Sequence, residues 1–357
     1  MHKDWVNTTI EEFVEFNRKL GAGLAHFTEL GDVDVGISPK QAVYREDKLT
    51  LFRYERPDTE PRIPLLVVYA LVNRPYMADL QPDRSLIRGL LAAGIDVYLI
   101  DWGYPDAGDR SLTLENYICG YVDHCVDFIR SQHEVDDINL LGICQGGTFS
   151  LCYGALYREK VKNLVTMVTP VDFHTADNVL SRWLRHIDID LLVDTLGNVP
   201  GDFLNWIFLS LKPYRLTSQK YVDLIDIIDR PEKLKNFVRM EKWIFDSPDQ
   251  AGEAFRQFIK EFFKGNKLVK GNLTIGSRKV DLSSVTMPVL NIYATADHLV
   301  PPSSSKALRS LVGSSDYDEV VFDGGHIGIY VSGRAQRQIP AAIGSWLAEH
   351  NVNAPGS

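Results

Sequence analysis

Residues 138–147 have the sequence Ile-Asn-Leu-Leu-Gly-Ile-Cys-Gln-Gly-Gly, an apolar run that leads directly into a cysteine flanked by glycines. Gly142 and Gly146 stand two positions before and after Cys144, where a side chain would collide with neighbouring backbone in a sharp strand-to-helix turn. The pattern predicts a nucleophilic Cys144, and a cysteine at this position predicts acyl transfer through a thioester. The alternative is a buried cysteine beside a glycine-rich turn.

The apolar pattern on both sides of this stretch predicts an α/β fold. Short runs that are apolar throughout alternate with helical sequence, which is typical of a mostly parallel sheet covered on both faces. The runs are residues 64–71, 95–100, 138–143, 164–168, 289–293 and 320–322. The helical and hairpin patterns predict crossover helices at 85–91 and 114–130, an amphipathic helix at 9–20 and a hairpin within 43–54.

Between residues 172 and 279 the alternation stops, and helical sequence rich in aromatic residues replaces it. We expect this insertion to form a helical cap over the carboxyl ends of the strands; the alternative is that its aromatic residues only fill a core of their own. The expected organisation is an N-terminal helix and hairpin packed on the core (1–60), an α/β core (61–171 and 280–352) and the cap (172–279).

A thiol nucleophile needs a base and a group that orients the base, and two later strand ends supply candidates. Asp297 and His326 each follow a predicted strand closely. Because nucleophile, acid and histidine follow one another in this order in α/β-hydrolase folds, we predict Asp297 as the orienting acid and His326 as the general base. Taken singly, each is typical of a turn or loop residue. His298 adjoins Asp297, but neighbouring side chains diverge, so we expect it to lie behind the site.

The oxyanion of a tetrahedral intermediate needs two backbone N–H donors. The residue after the nucleophile, Gln145, is one candidate. The other is Val72, in the loop 69–75 that follows the first core strand. The alternative for this loop is a plain connection.

Composition disfavours several other classes of protein. The chain has 357 residues and a formal net charge of −9, which disfavours nucleic acid as a partner. No stretch approaches the roughly 20 apolar residues of a membrane span, and no signal peptide is recognisable at the start. The four cysteines, at positions 119, 125, 144 and 152, have neither disulfide-framework nor metal-ligand spacing. We therefore expect a cytoplasmic protein without a metal or other cofactor.

Several motifs together resemble the polyhydroxyalkanoate synthases, in particular the short two-component class III, with class IV less close. The resemblance covers nearly the whole chain. It rests on residues 68–76 (Val-Tyr-Ala-Leu-Val-Asn-Arg-Pro-Tyr), 97–103, 141–148 and 266–271, and on the pairs Asp297-His298 and Gly325-His326.

The resemblance implies an α/β-hydrolase fold that polymerises (R)-3-hydroxyacyl-coenzyme A (CoA), typically the 3-hydroxybutyryl thioester, into polyester. It implies Cys144 as nucleophile, His326 as base and Asp297 as third member, whose task in the family includes activation of the substrate hydroxyl. It also implies a second synthase subunit, because no long N-terminal domain precedes the core, together with a homodimer and a location at the surface of polyester granules.

Two other functions stay open at this point. A thioesterase or small-molecule acyltransferase has the same fold and triad but transfers the acyl group to water or a small alcohol. A catalytically silent granule-surface protein is the second alternative, but such a protein is expected to have lost a triad member, and all three candidates are present.

Overall fold

The computed structural model describes residues 33–56, 62–211, 224 and 226–351. The amphipathic helix predicted at residues 9–20 lies outside the described residues. The hairpin predicted within 43–54 is confirmed, since two adjacent strands pair there in antiparallel fashion.

The described strands are β1 Lys40–Glu46, β2 Leu49–Tyr54, β3 Leu65–Val68, β4 Asp79–Gln81, β5 Arg84–Ser85, β6 Val97–Asp101, β7 Ile138–Ile143, β8 Val161–Met167, β9 Leu273–Ile275, β10 Arg278–Val280, β11 Val289–Ala294 and β12 Tyr317–Phe322. Eight of these described strands form one sheet, in the order β1-β2-β6-β3-β7-β8-β11-β12. The pairs β1/β2 and β2/β6 are antiparallel, and the other neighbours are parallel.

Helices connect the parallel strands. The described α-helices are α1 Leu86–Ala92, α2 Asp123–His133, α3 Gln145–Leu156, α4 Val179–Leu184, α5 Ile189–Leu196, α6 Gly201–Ser210, α7 Pro231–Phe245, α8 Gly252–Phe258, α9 Pro302–Lys306, α10 Gly328–Val331 and α11 Gly333–His350. Both predicted crossover helices are present, and the second begins as a π-helical segment at Asn116–Val122. A second π-helical segment, Ile259–Lys264, extends α8.

The core explains why the central strands are apolar throughout. Successive side chains of a strand point to opposite faces, so Leu65 and Val67 of β3 pack with α1 and α11, whereas Leu66 and Val68 pack with α2 and α3. All four side chains are fully buried. Helices therefore cover both faces of the sheet, which is the condition that favours a parallel arrangement.

Between β8 and β11 the described chain forms α4 to α8 and then the short antiparallel hairpin β9-β10. The sequence pattern predicted only helices here. Strands of three residues are too short for their alternation to be recognised, and Gly276, at φ +58°, provides the turn between them. The division into N-terminal part, core and cap stays a prediction.

Candidate active site

Cys144 occupies the turn between β7 and α3, as its glycine-flanked pattern predicts. Its backbone has φ +54° and ψ −124°, and its N–H donates to the Met167 carbonyl oxygen at 2.9 Å. A Cβ on Gly142 would overlap the backbone of α3, and one on Gly146 would overlap the Val68 carbonyl oxygen. Close backbone packing thus requires both glycines and holds the strained Cys144 conformation.

We expect Gly146→Ala to lower the free energy of unfolding by roughly 1–3 kcal/mol, because the added methyl group overlaps backbone that cannot move away. Gly154→Ala in the same helix is the matched control. A Cβ there would meet Leu164 and Met287 at 3.7 and 3.9 Å, ordinary contact distances, and alanine raises helix stability by about 0.5–1 kcal/mol. Urea unfolding of both variants tests the contrast, and equal effects would contradict it.

Asp297 and His326 lie together at the carboxyl end of β11 and β12. His326 Nδ1 donates to Asp297 Oδ2 at 2.6 Å, and Asp297 Oδ1 accepts from the N–H groups of Leu299 and Val300 at 2.8 and 2.9 Å. Both residues are buried, and His326 borders the same cavity as Cys144. The structure therefore brings the three predicted residues together at one place, where His326 and Asp297 are hydrogen-bonded; their chemical roles stay predictions.

The charges around His326 favour its protonated form. Burial alone lowers the pKa of a histidine, but the negative charges of Asp297 and Cys144 outweigh it and raise the pKa of His326 to about 10. A cysteine thiolate beside an imidazolium is the reactive form of a nucleophilic thiol. The arrangement thus supports nucleophilic chemistry at Cys144.

This raised pKa predicts a pH dependence of stability. A group whose pKa is higher in the folded state stabilises the fold fully below its unfolded pKa, 6.5, and loses that contribution as the pH rises to about 10. We therefore expect the difference in free energy of unfolding between the wild type and His326→Gln to shrink across this window. Urea unfolding at several pH values measures it; a difference that grows with pH would contradict the prediction.

The two predicted oxyanion donors border the same space as Cys144. Val72, in the loop 69–75, and Gln145, the first residue of α3, both line the cavity over Cys144. Among the described residues, neither N–H has a hydrogen-bond acceptor. The Gln145 side chain, which sequence reasoning did not assign, accepts from the Leu71 N–H through Oε1 at 3.0 Å.

A cavity of about 230 Å³ lies over Cys144 and His326. Its remaining wall is mainly apolar and comes largely from the segment between β8 and β11. The wall residues from α4, α6, α7, α8 and the second π-helical segment include Leu180, Leu184, Leu204, Ile207, Phe208, Met240, Trp243, Ile244, Phe255, Phe258, Ile259 and Phe263. This cavity suits an apolar acyl group.

One expectation about a single side chain needs correction. His298 was expected behind the site, but it lines the cavity. The aromatic residues of 172–279 serve more than a core of their own. Six line the cavity, namely Phe173, Phe208, Trp243, Phe255, Phe258 and Phe263, whereas Trp183, Trp206 and Phe245 are exposed.

The remaining cysteines differ from Cys144 in their surroundings. Cys125 and Cys152 are fully buried, and burial raises the pKa of both thiols well above the ordinary value, which makes them inert. Cys119 is half-buried, and burial raises the pKa of its thiol as well. Away from the cavity, Asp316, Asp318 and His350 bring potential metal ligands within 4.8 Å, but they are largely exposed.

Comparisons with known proteins identify the family of this chain. A family model described as alpha/beta hydrolase fold matches residues 63–332, and one described as Poly-beta-hydroxybutyrate polymerase (PhaC) N-terminus matches residues 23–90. The poly(3-hydroxyalkanoate) polymerase subunit PhaC of Allochromatium vinosum is 62% identical over 95% of this chain and 96% of its own length. The chain belongs to the poly(3-hydroxyalkanoate) polymerase family.

Further members of the poly(3-hydroxyalkanoate) polymerase family extend the likeness. The PhaC subunit of Synechocystis sp. is 54% identical over 95% of this chain and 93% of its own length. The resemblance to polyhydroxyalkanoate synthases predicted from the motifs is thereby confirmed. Among the described helices of this family member, none is long and apolar enough to cross a bilayer.

Solved structures support the fold alone. The monoacylglycerol lipase of Paleococcus ferrophilus superimposes with a TM-score of 0.57 and 17% identity, over 85% of this chain and all of the lipase. A putative lipase from Sulfolobus solfataricus has a TM-score of 0.54 and 14% identity, over 89% and 99% of the two chains. The predicted α/β-hydrolase fold of this poly(3-hydroxyalkanoate) polymerase family member is confirmed.

Proposed function

We propose that the protein is a polyester synthase that polymerises (R)-3-hydroxyacyl-CoA, with 3-hydroxybutyryl-CoA as the first candidate substrate, through a covalent thioester on Cys144. One observation carries the proposal: in a member of this family, Cys144 and His326 border one apolar cavity, and His326 is hydrogen-bonded to the buried Asp297. Each residue then has a defined task.

Acylation begins from the Cys144 thiolate beside the His326 imidazolium, which holds the proton that came from Cys144 Sγ. The thiolate attacks the thioester carbonyl carbon, and the N–H groups of Val72 and Gln145 hold the oxyanion that forms. When the intermediate collapses, the carbon–sulfur bond to CoA breaks, and His326 returns the proton to the departing thiolate. Exchange of one thioester for another is nearly thermoneutral, so the acyl group on Cys144 stays activated.

Elongation transfers this acyl group to an alcohol. The 3-hydroxyl of another acyl unit attacks the Cys144 thioester while His326 takes the hydroxyl proton, so that an oxoester forms and the Cys144 sulfur is released. Conversion of a thioester into an oxoester is downhill. A serine nucleophile would instead trap the chain as an unactivated ester, which explains why a cysteine suits this position.

The geometry of Asp297 favours an orienting role. Its side chain is fully buried, and its two oxygens already accept hydrogen bonds from His326 and from the N–H groups of Leu299 and Val300. Asp297 therefore holds His326 in the tautomer that has Nε2 free and stabilises the imidazolium. Direct activation of the substrate hydroxyl by Asp297 would require the substrate to reach a carboxylate that is fully buried.

The apolar cavity also bears on the choice of acceptor. A thioesterase would carry out the same acylation but would need water at Cys144, and mainly apolar walls disfavour water beside the thioester. An incoming hydroxyacyl unit brings its own apolar surface into the cavity. The lining therefore favours a synthase over a hydrolase.

The product decides between these two functions. We expect purified protein supplied with 3-hydroxybutyryl-CoA to release CoA in large excess over free 3-hydroxybutyrate, with insoluble polyester accounting for the difference. Thiol titration, chromatography of the free acid and sedimentation of the polymer measure the three products. Release of equal amounts of CoA and free acid would overturn the synthase proposal in favour of a thioesterase.

The family also supports a particular assembly. The proposed form is a homodimer that associates with a second synthase subunit of the class III or class IV type. This complex acts in the cytoplasm at the surface of the growing granule. Repeating the CoA release assay with and without a candidate second subunit tests the need for that partner. A single monomeric mass at working concentration, with and without substrate, would contradict the homodimer.

A further inference from the structure

The proposed oxyanion donor Val72 belongs to a loop in which the residues before and after it are hydrogen-bonded to other parts of the protein. We define the oxyanion loop as residues 69–76, which lie between β3 and β4. A peptide N–H points in a defined direction only if the residues before and after it are fixed. The contacts of Leu71 and Asn73 therefore decide where the Val72 N–H is directed.

On the side preceding Val72, the Gln145 carboxamide fixes the loop. The Leu71 N–H donates to Gln145 Oε1 at 3.0 Å, and the Gln145 side chain is 7% exposed. Because a backbone N–H can only donate, the atom it meets must be the oxygen of the carboxamide. The residue after the nucleophile thus supplies its own backbone N–H to the site and a side chain that fixes the neighbouring loop.

On the side following Val72, the Asn73 carboxamide fixes the loop to the end of α7. Asn73 Nδ2 lies 3.3 Å from the Trp243 carbonyl oxygen, 3.2 Å from that of Ile244 and 2.9 Å from Ser247 Oγ. The last carbonyl groups of a helix lack donors within the helix, so Asn73 caps α7 from outside. Asn73 itself has φ +57°, a conformation that asparagine tolerates better than most residues.

Further contacts join the same end of α7 to the oxyanion loop. Trp243 Nε1 donates to the Arg74 carbonyl oxygen at 2.9 Å, and the Tyr76 hydroxyl donates to Asp246 at 3.0 Å. The Tyr104 hydroxyl also donates to Asp246, at 2.6 Å, but Tyr104 lies outside the loop. Tyr104 therefore provides a contact to the same helix end that does not pass through the oxyanion loop.

We infer that Asn73 and Gln145 are positioning residues that direct the Val72 N–H at the oxyanion. Because Asn73 is bound to the end of α7, the position of this helix then determines whether the oxyanion hole is complete. This inference rests on the proposed function, since it assumes acyl transfer at Cys144. It adds a dependence of the chemical step on a helix of the segment between β8 and β11. Neither side chain needs to touch the substrate for this role.

Three variants test the inference. Asn73→Gly keeps the left-handed backbone conformation and removes the carboxamide. Gln145→Met keeps the length of the side chain and its apolar contacts but removes the acceptor for Leu71. Tyr104→Phe is the matched control, because it removes one hydrogen bond to the same end of α7 and keeps the aromatic ring that contacts Arg74 of the oxyanion loop.

Two reactions of Cys144 distinguish the loss of a correctly directed Val72 N–H from a general disturbance of the active site. Single-turnover CoA release from 3-hydroxybutyryl-CoA needs the oxyanion hole, whereas alkylation by iodoacetamide needs the Cys144–His326 pair and forms no oxyanion. We expect Asn73→Gly and Gln145→Met to slow CoA release by about 10–100-fold with little change in KM. Alkylation rates and their pH profile stay within about twofold of the wild type, and Tyr104→Phe changes neither reaction.

The outcomes distinguish this inference from the proposed function. If Asn73→Gly and Gln145→Met release CoA at the wild-type rate, or if alkylation slows in parallel with CoA release, the positioning role is overturned. If Tyr104→Phe slows CoA release as much as Asn73→Gly does, the end of α7 does not affect the reaction through the oxyanion loop, and the inference is again overturned. Failure of the wild type to release CoA counts against the proposed function instead.

Discussion

Replacement of Cys144 by alanine is expected to reduce CoA release to background, a loss of about 10⁶-fold in kcat, because no other group can take over the covalent step. Cys125 and Cys152, two other cysteines that could act as nucleophiles, are fully buried and cannot reach the substrate. The methyl group of alanine occupies the space of the cysteine Cβ, so the fold is retained. Thiol titration with 3-hydroxybutyryl-CoA measures the loss, and urea unfolding shows that the variant is folded.

Cys144→Ser is the informative companion variant. Serine keeps a nucleophile of similar size, but an acyl group on its oxygen is an oxoester with no driving force for transfer to another alcohol. We expect the acylated protein to accumulate and to be detected by intact mass, without polyester. Turnover retained by Cys144→Ala would move the nucleophile elsewhere and contradict the proposed mechanism.

The second large effect is expected at His326. His326→Gln should lower kcat for CoA release by about 10⁴–10⁶-fold, because glutamine can still donate to Asp297 but cannot accept the Cys144 proton. Unlike the oxyanion-loop variants, His326→Gln should also slow alkylation of Cys144, since the imidazolium that favours the thiolate is lost. Steady-state CoA release and the iodoacetamide rate between pH 6 and about 9 measure both effects.

His124→Gln is the control for His326→Gln. His124 is exposed on α2 and hydrogen-bonded to Glu46, so the same substitution there changes a surface contact only. We expect wild-type rates of CoA release and alkylation from this variant. A His326→Gln variant that alkylates as fast as the wild type would show that His326 does not activate Cys144.

Much of the fold was predictable because its signals are local. A strand buried on both faces must be apolar throughout, so the apolar runs at 65–68 and 138–143 predict central strands from their own sequence alone. The turn at Cys144 can also be predicted from local sequence, because backbone crowding requires glycine at positions 142 and 146. The order nucleophile, acid, histidine then pointed to Asp297 and His326.

Other features of the site had no local signal. Asn73 and Trp243 are 170 positions apart, and nothing in the sequence around either one indicates that the Asn73 carboxamide caps α7. The same holds for Gln145 and Leu71, 74 positions apart. His298 was misjudged because the direction of a side chain after a strand end depends on how the following loop packs.

The sequence by itself determined the strands, the turn that presents Cys144 and the identity of its two partners, because steric exclusion and burial act on neighbouring residues and leave a periodic pattern. The tertiary structure alone decided that Asn73 and Gln145 hold the oxyanion loop and that apolar helices enclose the cavity. Those contacts join segments far apart in the chain, and only the packing of the whole molecule sets which of them meet.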